Sequence, residues 1–99
     1  MSPCLNWLNE EQAQLVGRVE FDDTDAMLGE FKPASGQHYR IMLDQAYGGS
    51  AAMAVLLAWW RAARAVSASL TFESPSHELM QFIQVSDLDD IMPLASSSS

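Results

Sequence analysis

Apolar and polar residues alternate at the start of the chain. Leu5 to Leu8 alternates and then meets the polar run Asn9-Glu10-Glu11-Gln12. Ala13, Leu15 and Gly17 next alternate with Gln14, Val16 and Arg18, and Val19 and Phe21 follow. Period-two patterning on both sides of a polar turn predicts a hairpin of two short strands. Asp22-Asp23-Thr24-Asp25 then precedes Ala26, Met27, Leu28 and Phe31. Acidic and hydroxyl groups satisfy free N–H groups at a helix start and suit its positive dipole end. Met27 and Phe31 share a helical face. The spacing predicts a short helix ending near Lys32, because Pro33 cannot continue it and Ser35-Gly36 makes a loop.

Tyr39 to Leu43 is apolar except for Arg40 and predicts a third strand. Asp44-Gln45-Ala46-Tyr47-Gly48-Gly49 reads as a tight connection into a helix over Ser50 to Val66. That segment is rich in Ala and Leu, which favour helix, and Ser50 is placed to cap it. Met53, Leu56, Leu57 and Trp60 have the spacing i, i+3, i+4, i+7, so this stripe is expected to face the core, with Trp59 near its edge. Ser69 to Glu73 predicts a fourth strand with Leu70 and Phe72 on one face. Ser74-Pro75 suits a helix start, and Leu79, Phe82 and Ile83 give that helix its apolar side. Ser86-Asp87-Leu88-Asp89 resembles a capping box opening a last short helix that ends at Met92-Pro93.

After the hairpin, strands and helices alternate. This predicts an α/β fold: a mixed, mainly parallel four-stranded sheet with an N-terminal hairpin and covering helices. The expected organisation is one domain over residues 1–94 and a disordered Ser-rich tail over 95–99. A chain of 99 residues with 48% hydrophobic content can bury one modest core.

The balance of 13 acidic against 5 basic residues changes the picture of partners. Such a surface repels phosphate backbones and anionic lipid heads and favours a partner offering Lys or Arg. The start of the chain has no basic region followed by an apolar core, and the longest apolar run is Ala51 to Trp60. A cytoplasmic protein that reaches a membrane only through its partner is the expectation. The single cysteine, Cys4, has no internal disulfide partner and reads as a half-buried terminal residue.

Candidate chemistry is sparse. His38 and His77 stand alone without metal-ligand spacing. Asp22, Asp23 and Asp25 lack the spacing of a calcium loop and read as dipole partners, as do Asp87, Asp89 and Asp90. Gly48-Gly49-Ser50 presents backbone N–H groups but lacks the lysine and longer loop of a phosphate-binding motif. No catalytic set, metal site or cofactor is expected. Trp59 is the candidate hot-spot residue for a partner.

The segment Ile41-Met42-Leu43-Asp44, followed by Gly49-Ser50-Ala51-Ala52-Met53-Ala54-Val55-Leu56-Leu57, resembles the STAS domains. Their pattern is a strand ending in Asp, a short loop, and a Ser or Thr opening a helix of small and aliphatic residues. Leu15-Val16-Gly17-Arg18-Val19, Leu70-Thr71-Phe72-Glu73-Ser74-Pro75-Ser76 and Leu88-Asp89-Asp90-Ile91-Met92-Pro93-Leu94 extend the likeness over nearly the whole chain. Within STAS domains the chain resembles the MlaB family, the non-catalytic accessory subunits of Mla-type phospholipid-transport ABC complexes that maintain outer-membrane lipid asymmetry. That resemblance implies binding to an MlaF-like ATPase, in a complex with an MlaE-like permease and an MlaD-like lipid-binding subunit. The family's Ser or Thr position corresponds to Ser50, so the helix start is expected at the interface, with Ser50, Ala51 and Ala52 allowing close approach and Trp59 as a further contact. The alternative is an anti-sigma-factor antagonist, in which a kinase phosphorylates the residue corresponding to Ser50. The family usually has Asp before the hydroxyl residue and this chain has Gly49, which weighs against the phosphorylation switch.

Overall fold

The computed structural model describes residues 3–85. The helix expected within 86–93 and the tail at 95–99 lie outside the described residues. Strand β1 (Cys4–Trp7) and strand β2 (Gln12–Arg18) form the expected antiparallel hairpin, with Leu5 opposite Leu15. Strands β3 (His38–Tyr47) and β4 (Ser69–Glu73) add in parallel, giving one mixed sheet in the order β1-β2-β3-β4. A 3-10 turn at Phe21–Asp23 leads into helix α1 (Thr24–Leu28), and helices α2 (Ser50–Ala65) and α3 (His77–Val85) follow β3 and β4.

One sheet face builds the core. Ala13 and Leu15 of β2, Ile41, Leu43 and Ala46 of β3, and Leu70 and Phe72 of β4 are buried there. Val55, Leu56, Trp59 and Ala63 of α2, Met27 of α1, and Leu79 and Ile83 of α3 are buried in the same core. The other sheet face carries polar side chains paired across strands. Gln14 donates to Asp44 at 3.0 Å, Arg40 lies 3.7 Å from Glu73, and His38 contacts the Ser69 hydroxyl at 2.6 Å. Cys4 is exposed rather than half-buried.

α1 ends at Leu28 instead of near Lys32, and three further expectations are corrected. First, β3 runs on to Tyr47 instead of ending at Leu43. Gln14 pairs with Met42 and Val16 with Gln45, so β3 fits an extra residue into the ladder. This bulge brings Ala46 inward, and Asp44 and Gln45 hide the strand's continuation from a simple alternation test. Second, α3 starts two residues later than Ser74-Pro75 suggests. Ser74 takes φ +51, and buried Ser76 caps the helix by accepting from Leu79 N at 3.3 Å.

Third, α2 is turned by about one residue, or roughly 100°, from the expected phase. Trp59 is 1% exposed, and Trp60 is only half-buried, with the Arg64 guanidinium 5.2 Å over its ring. Trp59 Nε1 donates to the Met27 carbonyl at 3.0 Å, and its ring packs 5.9 Å from Phe31. Ala52 and Ala63, both fully buried, share the inward face. Small side chains there leave the space that an indole needs, so a stripe drawn through the largest residues points the wrong way.

Candidate functional site

The carboxyl ends of β2 and β3 and the amino ends of α2 and α3 meet at one end of the sheet. Open α/β sheets place their functional groups at such ends, because the loops there are free to vary over a rigid scaffold. Ser50 is the first residue of α2 and is exposed. The N-cap is Gly49, not Ser50, and no side chain caps the helix. Only Gly48 and Gly49 separate β3 from α2, so no side chain on this connection screens Ser50.

A network that the sequence did not announce holds this end in place. Arg18, the last residue of β2, makes a two-pronged ion pair with Glu78 of α3, each contact 3.1 Å. The same carboxylate accepts from Gly48 N at 2.9 Å. Paired N–H groups fix the plane of a carboxylate, so Arg18 aims Glu78 at the connection before Ser50. Ser76 pins α3 to β3 through its hydroxyl on Ala46 O at 2.6 Å and its N–H on Leu43 O at 3.0 Å. The ring of Phe82 lies below Gly49, where an added Cβ would stand 3.5 Å from it. Sixty positions separate Arg18 from Glu78, and although Arg18 falls in a STAS-like run, nothing local pairs it with Glu78. The parallel pairing of β2 with β3 and the docking of α3 on β3 through Ser76 bring them together.

The Arg18 guanidinium, and next the Gly48 N–H, hold the Glu78 carboxyl below the usual carboxylate range. Glu78 in turn raises the Arg18 guanidinium. A carboxyl whose folded pKa is depressed stabilises the fold above its unfolded pKa and loses that contribution as pH falls through the folded value. Glu78→Gln is therefore expected to melt below the wild type at pH 7. The gap should close as pH drops below about 4.3, the ordinary Glu value. Paired thermal melts from neutral to acid pH check this, and a gap that widens in acid counts against the network.

Of the residues expected to dock, the structure leaves Ser50 accessible and buries Ala51, Ala52 and Trp59 inside the chain's own core. Those three side chains support the α2 end rather than present it. His77 is exposed at the start of α3, and among the described residues no group of His, Cys, Asp and Glu could hold a metal ion. A shallow cavity of about 480 Å³ lies at the opposite end of the sheet, lined by Trp7, Leu8, Asn9, Glu10, Lys32 and Tyr39. No helix of the described residues is long and apolar enough to cross a membrane.

No protein-family model matches the chain, and no curated protein matches it. Solved structures do match. The structure of the anti-sigma factor antagonist SpoIIAA in its unphosphorylated form is 14% identical, with a TM-score of 0.66 over 97% of this chain and 90% of the antagonist. At that identity the likeness is one of fold, and it covers the hairpin, the parallel strands and the helices together. The chain therefore has the STAS fold, with Ser50 at the exposed opening of its long helix.

Proposed function

We propose that this chain is a non-catalytic docking subunit of an Mla-type phospholipid-transport ABC complex. In this reading it binds the MlaF-like ATPase through the Ser50 end of α2 and stabilises or regulates it, alongside an MlaE-like permease and an MlaD-like lipid-binding subunit. The protein is cytoplasmic and meets the inner membrane only through that complex. The observation that carries the reading is Ser50 itself: exposed, uncapped, next to two glycines and held on a braced rim. A first helical turn of small and apolar residues with no charged side chain suits close approach by another polypeptide. The STAS-like run from Ile41 to Leu57 is common to both candidate roles, and Gly49 in place of the usual Asp before the hydroxyl residue tilts the choice toward a docking subunit.

The test is Ser50→Asp. A carboxylate at a helix start is favoured by the dipole, so the fold should hold or gain slightly. The new charge should still weaken ATPase binding by tenfold or more, as phosphate on Ser50 would, because it must be desolvated at a close-packed contact. Undiminished copurification of the variant with the transporter would sink the proposed surface.

The structural likeness to an anti-sigma factor antagonist favours a second reading, a switch phosphorylated at Ser50. The exposed hydroxyl suits it, and Gly49 in place of the usual Asp argues against it. Incubation with anti-sigma kinases, read by intact mass, separates the two. One added phosphate on the wild type, absent from Ser50→Ala, selects the switch.

A further inference from the structure

We infer that Phe21 is the apolar anchor of this docking end, received by its protein partner in an apolar socket rimmed by Lys or Arg. The inference rests on the docking reading above and names the partner chemistry of the same surface. Phe21 is 69% exposed, the highest value for any aromatic ring among the described residues. Single exposed apolar residues are common on monomers and by themselves mean little. What sets Phe21 apart is how it is held and where.

The turn that carries it is locked. Glu20 and Asp23 cap one another, each carboxylate taking the other's backbone N–H, with Glu20 N donating to Asp23 Oδ2 at 3.0 Å. Asp23 N also donates to Glu20 O at 2.9 Å, and Thr24 Oγ1 donates to Phe21 O at 2.9 Å. These bonds fix the backbone on both sides of Phe21 and leave its ring facing water. A rigid aromatic side chain loses little freedom on binding, which is the property of a good anchor.

The location is equally specific. Val19 N donates to Tyr47 O at 3.0 Å, and a Cβ on Gly48 would come within 2.8 Å of Val19 O. Phe21 and Ser50 each lie two residues beyond that crossing point, so both belong to one end of the sheet.

The charge around the ring has one sign. Glu20, Asp22, Asp23 and Asp25 flank it, and the neighbouring cation, Arg18, is already engaged by Glu78. A second copy of this chain would set one acidic rim against another, with a net charge of −8 on each molecule. A basic partner removes that repulsion and also steers the encounter.

The experiment titrates the full chain into the MlaF-like ATPase by calorimetry, comparing wild type, Phe21→Ala and Ser50→Asp at low and high salt. Phe21→Ala should bind about thirtyfold or more weakly, the level of a hot-spot residue, with an unchanged melting temperature. Wild-type binding should weaken as salt rises. If Phe21→Ala binds like the wild type while Ser50→Asp does not, the docking end stands and the anchor is wrong. If the ATPase ignores the wild type, the proposed function fails, and photo-crosslinking in cells decides the inference alone. A benzoylphenylalanine at position 21 should then label a protein segment with apolar residues between Lys or Arg. Labelling of another copy of this chain, or labelling only from a control probe at Arg40 on the open sheet face, overturns it.

Discussion

Gly48→Ala is expected to destabilise the domain by roughly 3 kcal/mol, from backbone strain of ~1–3 kcal/mol and overpacking of similar size. Gly48 has φ +123, which L side chains rarely adopt, and an added Cβ would sit 2.8 Å from Val19 O and 3.2 Å from Ala52 Cβ. Neither neighbour can swing aside. Val19 is bound to Tyr47 through its own N–H, and Ala52 is fully buried in α2. In a domain of this size each kcal/mol lowers the melting temperature by ~4–8 °C, so a fall on the order of 15 °C is expected. Gly36→Ala is the control. Gly36 also has positive φ, at +77, but nothing lies within 4 Å of its added Cβ, so only about 1–2 kcal/mol of conformational cost applies. Melts in which the two variants fall equally would show that the Val19 contact does not matter.

The same position links stability to docking. Gly48 N–H is the donor that Glu78 takes, and its backbone sets the entry of α2 two residues before Ser50. A side chain introduced at Gly48 would relieve its strain by shifting the α2 start against the Arg18–Glu78 brace. The docking end is thus built from the sheet outward: a contact of Gly48 with Val19, just beyond β3 and β2, too tight for a side chain, then a carboxylate aimed at the turn, then the exposed hydroxyl.

Local patterns carried most of the fold. Alternation found the hairpin, β4 was bounded at Ser69 and Glu73, and α2 was placed from Ser50 to within one residue of its end. What the patterns missed depends on contacts between distant segments. The continuation of β3 through Asp44 is visible only in its pairing with β2. The phase of α2 depends on Trp59 finding the Met27 carbonyl, a partner 32 positions away. The site divides in the same way. Ser50 was legible because a Ser between glycines and a small-residue helix is a local signal. Arg18, Glu78 and Phe21 were not, because an ion pair across β2 and α3 and a ring left exposed by a locked turn have no local signature.

Trp59→Ala should remove about 3–5 kcal/mol, the usual cost of emptying a large buried aromatic site. That is a large fraction of the roughly 5–15 kcal/mol that holds a domain together, so the variant should be partly unfolded near body temperature. Trp59→Phe separates the ring from the hydrogen bond. Met27 O also accepts from Glu30 N at 3.0 Å, so removing the indole donor leaves no orphaned carbonyl. The loss should then be about 0.5–1.5 kcal/mol for the bond, plus the smaller packing deficit of the shorter ring. Urea denaturation measures both. Because Trp59 is 1% exposed, its side chain cannot touch a partner while the domain is folded. Folded Trp59→Phe should therefore bind the ATPase as tightly as the wild type. A variant of wild-type stability that binds poorly would put Trp59 at the interface, and α2 would have to be rotated by about 100°, one residue's turn, to carry it there.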